Sequence, residues 1–280
     1  VRLREAGISA PILLFGHSLP SYVDILSSKD IRAALNSLEG ARSISAEAVR
    51  RKTRIKAHIK IDTGMGRLGL LADDIAIQTD TGEELKGAIS DVLAISALPG
   101  IEVEGIFTHF ANADSHDKTH AKTQLFRFNK MLEILKKHSF RVRYRHAANS
   151  AAIIEMPESH LDLVRPGIAQ YGLWPSGAID RQGIALKPVM SIKSRIIHVK
   201  DVGADFAVSY GSTHVTPRPT RIATIPVGYA DGYDRILSSK GHMLVKGVRA
   251  PIIGRVCMDL TLIDVGHVPD VRLEDEVVIL

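Results

Sequence analysis

The sequence predicts an α/β chain: a (β/α)₈ TIM-type barrel with about six of its eight units, followed by a mostly antiparallel β domain. Three observations predict it. Strand-like and helix-like segments alternate over roughly the first 175 residues, which argues a parallel sheet. Side chains able to do chemistry gather just past the C-terminal ends of successive strands, the face on which such barrels carry their sites. From about Leu186 the texture changes to Val- and Ile-rich segments punctuated by Gly203, Gly211, Gly228, Gly241, Gly247 and Gly254, with no long helical period. The domains are therefore expected at 1–185 and 186–280.

Taken in order, Pro11-Ile12-Leu13-Leu14-Phe15 closed by Gly16 reads as a buried strand. Val23 to Leu26 is expected to form a second strand, and Ile31 to Leu38 a helix. His58 to Asp62 is a strand running into the glycine-broken Thr63-Gly64-Met65-Gly66, and Ile101 to Phe107 a strand ending at His109. Between His120 and His138, Leu125, Phe128, Leu132 and Leu135 fall at helical spacing and define an amphipathic helix. Arg141 to His146 is a strand that opens through Asn149-Ser150 into a helix, and Leu161 to Arg165 is the sixth strand. Beyond the boundary, Ser191 to Val199, Arg221 to Pro226, His242 to Val245 and Ala250 to Val265 read as strands.

Composition narrows the function classes. Hydrophobic residues at 45% and charged residues at 24% are those of a globular protein and exclude disordered and collagenous classes. No apolar run reaches the 18 or more residues of a membrane span, and no signal peptide is recognisable, so neither membrane association nor secretion is expected. The lone Cys257 rules out an intramolecular disulfide and suits a reducing, cytoplasmic setting. A net charge of +5 suits an anionic ligand. The densest basic run, Arg50 to Lys56, lacks interleaved aromatics and leads into a strand, so nucleic acid is not an expected partner. The twelve histidines show no metal-ligand spacing.

The strand ends carry the chemistry. In Arg165-Pro166-Gly167-Ile168, Pro166 fixes φ and Gly167 admits close approach of a ligand, a pattern suited to holding phosphate at a barrel's last strand, although alone it reads as an ordinary turn. Ser150 could donate to the same phosphate or act as a plain helix cap. Thr63 to Arg67 lacks the Gly-Lys-Ser/Thr ending of a nucleotide P-loop. His109 and His146 each end a strand, where a single histidine is more often structural. In the β domain Tyr233 reads as a packed aromatic, and Cys257, without a neighbouring base, as structural.

These motifs together resemble bacterial alanine racemase. The resemblance is carried by His58 to Arg67, Arg145 to Ala151, Val164 to Ile168, Val208 to Gly211, Gly228 to Tyr233 with Arg235, and Gly254 to Asp259, in family order over essentially the whole chain. It implies a homodimeric, pyridoxal 5'-phosphate-dependent enzyme of the cytoplasm. Such an enzyme interconverts L- and D-alanine by two-base proton transfer on a pyridoxal-phosphate aldimine and supplies D-alanine for peptidoglycan. Arg165 would face the pyridine nitrogen, and Ser150, Gly167 and Ile168 would hold the phosphate. Tyr210 would be the base for the L enantiomer, reaching into the partner subunit's barrel. A phenol with an ordinary pKa of ~10 needs cationic neighbours for this, which His109 and Arg165 would supply, with His146 buttressing Arg165. Arg67 and the partner's Met258 backbone would contact substrate, and Lys60 stands where the family often carries a carbamylated lysine.

One family segment has no counterpart here, the stretch after the first barrel strand that carries the Schiff-base lysine. With a chain that begins at Val1 rather than methionine and stops at Leu280, where the family continues with more β structure, this leads us to expect an interior fragment, its barrel short at the N-terminus and its β domain at the C-terminus, with little or no racemase activity alone and with open strand edges that lower solubility. Two other readings keep the fold: a serine or broad-specificity racemase, and an inactive or complementing fragment that binds pyridoxal phosphate.

Overall fold

The computed structural model describes residues 1–72, 87–181 and 183–279, and divides into two compact units, Val1–Lys187 and Pro188–Leu280. In the first unit, a short helix α1 (Arg2–Glu5) precedes strand β1 (Ile12–Leu14), helix α2 (Val23–Ser28), strand β2 (Ile31–Leu35), helix α3 (Leu38–Arg50), strand β3 (Ile55–Asp62) and the two-residue β4 (Leu70–Leu71). Helix α4 (Gly87–Ser96), strand β5 (Ile101–Phe107), helix α5 (Thr119–Lys137), strand β6 (Tyr144–His146) and helix α6 (Ser150–Glu155) complete it. The strands form one parallel sheet in the order β1-β2-β3-β5-β6, with β4 paired to β3. Sequential parallel strands with helices between them make this a TIM-type half-barrel.

The core lies between this sheet and its helices. Ala33 and Leu35 of β2, and Ala57, Ile59 and Ile61 of β3, are buried against Ala41 and Ile44 of α3, Ile89 and Val92 of α4, and Phe128 and Met131 of α5. The opposite face of the sheet carries Arg32, His58, Lys60 and His146, all buried and all polar. Alternation along a strand sends the two sets to opposite faces, so the apolar core leaves the barrel interior free for charged and titratable groups.

Three expectations are corrected. Val23 to Leu26 is helical: Val23 and Leu26, three apart, are buried while Asp24 and Ile25 between them are exposed, and Pro20 opens the preceding 3₁₀ turn. Ile31 to Leu38 is the strand β2 followed by a cap. Sheet neighbours on both sides outweigh the helix propensity of Ala33 and Ala34, and Ser37 accepts from the Gly40 N–H to start α3. Leu161 to Arg165 makes a single parallel bridge, His146 to Leu163, because Leu161 turns the chain with φ of 50°.

The second unit is antiparallel. Strands β7 (Lys193–Arg195), β8 (His198–Val202), β9 (Ala207–Val208), β10 (His214–Val215), β11 (Thr220–Ile225), β12 (His242–Val245), β13 (Val248–Pro251), β14 (Thr261–Asp264) and β15 (Glu276–Val278) form three sheets. Their orders are β14-β11-β8, β13-β12-β15-β7 and β10-β9. Ile196, Ala223, Ile225, Met243, Val245, Ile263 and Val277 form its core.

Candidate active site

Within the first unit, the C-terminal strand ends border a cavity of about 440 Å³. Phe15 follows β1, Lys60 lies on β3 with Arg67 in the loop beyond it, Phe107 ends β5 with His109 just past it, and Arg165 to Gly167 complete the lining. The strand ends singled out by sequence therefore meet at one mouth.

Arg165 is the hub. Its Nη2 donates to the Thr108 carbonyl at 2.7 Å and the Ala147 carbonyl at 2.8 Å, and reaches His109 Nδ1 at 3.2 Å. Its Nη1 donates to His146 Nδ1 at 2.6 Å. The Nε–H has no acceptor among the described residues. The guanidinium also lies 5.4 Å from the Phe107 ring centroid, a cation–π arrangement. Burial lowers its pKa to about 10, so it stays protonated at neutral pH. The histidines answer oppositely. Burial first, then the Arg165 charge, pushes His109 down to about 4 and His146 to about 2. Of the pair, Arg165 is thus the cation, and His109 offers a neutral ring.

His58, pushed to about 4 chiefly by burial, is neutral as well. All three histidine pKa values lie below the unfolded value of ~6.5, so unfolding takes up protons below that pH. Their contribution to stability is complete above pH ~6.5 and is lost as pH falls, towards about 4 for His58 and His109 and towards about 2 for His146. We expect the urea midpoint to hold between pH 7 and 8 and to fall steadily from pH 6.5 to 4.5. A midpoint flat down to pH 5 would contradict the neutral assignment.

The loop after β3 is built around Asp62. Its Oδ1 accepts from the N–H groups of Gly64 (2.9 Å), Met65 (2.8 Å) and Gly66 (3.1 Å), and its Oδ2 from Arg67 (3.1 Å). Burial raises this carboxyl's pKa, but the four N–H bonds outweigh it and hold it below the usual carboxylate value. This cradle sets where Arg67 leaves the backbone. Lys60 is 4% exposed, with Nζ 5.9 Å from the Phe107 centroid. Burial, then Arg67, lower its pKa, which favours the neutral amine that carbamylation requires.

Ser150 caps the other side. Its Oγ accepts from Gly167 N–H at 2.8 Å and Ala169 N–H at 3.2 Å, which leaves the hydroxyl proton free to donate. Ile168 opens a 3₁₀ turn, so its N–H has no acceptor within that turn. The helix-cap reading of Ser150 fails, because Asn149 supplies the cap to Ala152 N–H.

In the second unit, Tyr210 is 70% exposed and Met258 54%. Positive φ at Ser209 (64°), Gly211 (72°) and Ser212 (47°) bends the chain around Tyr210. The turn beginning at Gly228 grips the next segment, with Tyr229 N–H on the Cys257 carbonyl and Ala230 N–H on the Met258 carbonyl. The Met258 N–H is left without an acceptor among the described residues. Cys257 is free and contacts Ser209 Oγ at 3.5 Å, in keeping with a structural thiol.

Sequence reasoning missed the Asp62 cradle, the aromatic walls Phe15 and Phe107, and Gln124. The Gln124 side chain donates to the His109 carbonyl at 3.0 Å and accepts from Ala111 N–H at 2.9 Å. A lone glutamine on an amphipathic helix carries no signal for this. Among the described residues no cluster of potential metal ligands occurs, and no helix is long and apolar enough to cross a membrane.

A half-barrel with its site at the C-terminal strand ends, followed in the chain by an antiparallel β unit, defines a two-part barrel enzyme. Comparison with known sequences narrows the class. The profile of the alanine racemase N-terminal domain matches residues 1–175, and that of the C-terminal domain residues 189–280. The alanine racemase of Desulfosudis oleivorans is 50% identical over 277 residues, 99% of this chain and 70% of that protein. That of Methanococcus maripaludis is 42% identical over 279 residues, covering 71% of its length. Among solved structures, alanine racemase of Clostridium difficile 630 superposes with a TM-score of 0.85 at 32% identity, covering 100% of this chain and 70% of that one. Alanine racemase from E. faecalis gives 0.81 at 33%, covering 100% and 71%. The chain belongs to the alanine racemase family, and with it to the amino-acid racemases, enzymes of the isomerase class.

Proposed function

We propose that the protein interconverts L- and D-alanine with pyridoxal 5'-phosphate, acting in the cytoplasm as a homodimer. The observation that carries this is the hub at the cavity: a half-buried, protonated Arg165 whose Nε–H lacks an acceptor among the described residues, beside an anion cradle of Ser150 hydroxyl and Ile168 N–H. These groups fit the cofactor's two polar ends, since a donor suits the pyridine nitrogen and the cradle suits a phosphate. When bound, pyridoxal phosphate supplies an electron-withdrawing ring that stabilises negative charge at the amino acid's Cα.

The remaining chemistry falls to side chains of this chain. Arg165 is protonated and stays so, which lets it hydrogen-bond the ring nitrogen without delivering a proton. Electron withdrawal is thereby restrained and reprotonation at Cα favoured. Tyr210 accepts the Cα proton of L-alanine and returns it in the reverse direction. Its exposure suits a residue supplied to a partner's barrel, as does the free N–H of Met258 for a substrate carboxylate. Arg165 and the neutral N–H of His109 favour the tyrosinate when the phenol reaches them. Arg67 orients substrate on the other side of the cavity, and Lys60, as a carbamate, would hold Arg67 in place.

The test is Tyr210→Phe in the holoenzyme loaded with pyridoxal phosphate. Exchange of the Cα proton of L-alanine with deuterated solvent should fall by about 10²–10⁴-fold, while the cofactor's absorbance is retained. Unchanged exchange would overturn the assignment.

A further inference from the structure

The polar column inside the barrel does not end at His146. His58 Nδ1 lies 2.8 Å from His146 Nε2, and both rings are buried. Two features of the sheet make room for this contact. The β3–β5 register shifts between Ala57 and His58, leaving Glu104 as the extra residue of β5, so that Gly105 stands opposite His58. Gly105 has no side chain where the His58 ring passes: a Cβ there would sit 2.6 Å from His58 Cε1, nearer still to Nδ1, and 2.8 Å from the Tyr144 carbonyl. Tyr144 stacks on His58 with ring centroids 6.0 Å apart, and Phe107 stacks on His146 at 4.8 Å.

We propose that His58 is a positioning residue that fixes the tautomer of His146 and through it holds the Arg165 guanidinium in place. The direction follows from donor chemistry. Arginine only donates, so His146 Nδ1 must accept from Arg165 Nη1. A neutral His146 then carries its proton on Nε2 and donates it to His58 Nδ1, which in turn puts the His58 proton on its own Nε2. The chain Arg165 to His146 to His58 runs one way. Without an acceptor at the His58 Nδ1 position, the buried His146 Nε2–H is orphaned. The tautomer with the proton on Nδ1 then gains ground and turns an N–H against Arg165. The guanidinium keeps its bonds to the Thr108 and Ala147 carbonyls through Nη2 but loses the one through Nη1, and can pivot about the remaining pair.

The kinetic consequence rests on the reading of Arg165 as the group facing the pyridine nitrogen; the tautomer does not. The test compares His58→Asn with His58→Gln. Asn places its amide oxygen where Nδ1 stood, whereas Gln places it at the Nε2 position. ¹⁵N–¹H correlation spectra of ¹⁵N-histidine-labelled protein read the His146 tautomer directly. Wild type and His58→Asn should both carry the proton on Nε2, and the Gln variant should move towards Nδ1. With alanine, kcat of the Gln variant should fall about 10–100-fold with KM nearly unchanged, and Asn should recover most of it. An unchanged His146 tautomer in the Gln variant, or an Asn variant that behaves as Gln does, would overturn the proposal. A shifted tautomer with undiminished kcat would leave His58 in its positioning role and overturn the reading of Arg165.

Discussion

Replacing Arg165 by leucine is expected to lower stability by about 2–4 kcal/mol and kcat by at least ~10²-fold. The side chain serves four acceptors at 2.6 to 3.2 Å, two of them backbone carbonyls on different strand-end loops. Leucine leaves those carbonyls and His146 Nδ1 without their donor. Each orphaned buried acceptor costs about 1–3 kcal/mol, and the adjoining cavity relieves part of this by admitting water. The rate loss has a different origin, removal of a preorganised donor and charge from the reacting end of the site. Arg165→Lys separates the two. A lysine ammonium keeps the charge but cannot span His146 and both carbonyls, so it should restore about half of the stability and little of the rate. Urea midpoints and steady-state racemisation measure both. A lysine variant with near-native kcat would show that charge alone suffices and that the fork geometry is incidental.

That hub was legible in part, and the boundary of legibility is physical. Arg165, His109 and Ser150 announced themselves because a barrel delivers its strand ends to one mouth, so position along the chain already implies position in space, whereas Lys60 entered only through the family resemblance. Short apolar runs were less informative. Val23 to Leu26, expected as a strand, is helical, and Ile31 to Leu38, expected as a helix, opens with a strand, because runs of four to eight residues do not separate a period of 2 from one of 3.6, and the deciding contacts are with other strands. Arg32 could have signalled its strand, but its partner Glu104 lies 72 residues away, in a salt bridge of 2.8 Å. His58 escaped notice for the same reason: its role depends on a one-residue slip between β3 and β5 and on a glycine in the facing strand. The Asp62 cradle was hidden in plain view. The glycines of Thr63 to Gly66 were read for what they offer a ligand, whereas Gly64 and Gly66 take up φ of 131° and 71° so that consecutive N–H groups can turn inward onto a carboxylate of the same loop.

The loop bearing Tyr210 yields the second large effect, through Gly254→Ala. Gly254 has φ of 73°, and a Cβ there would lie 2.7 Å from Ser209 Cβ and 2.9 Å from the Val208 carbonyl. Both contacts fall on the residues immediately before Tyr210. The same stretch is tied down by Ser209 Oγ, which donates to the Arg255 carbonyl at 2.7 Å, and it already holds Ser209 and Ser212 at positive φ. Such strain persists only where the surroundings enforce it. An alanine at 254 adds roughly 1–2 kcal/mol for a left-handed backbone and about 1–3 kcal/mol for overpacking against atoms that cannot swing away. Ser209 must move, and Tyr210 moves with it; if Tyr210 is the base proposed above, a displacement of about 1 Å would lower kcat by about 10²-fold. Gly247→Ala supplies the control. Gly247 has a similar φ of 77° but nothing within 4 Å of its would-be Cβ, in the hairpin between β12 and β13. It should cost only the backbone share, about 1–2 kcal/mol, and leave kcat alone. Thermal unfolding and alanine turnover of the two variants side by side then separate backbone strain from displacement of Tyr210. Equal kcat losses in both would mean that Tyr210 responds to the stability of the whole β unit and not to the fit of Gly254 against Ser209.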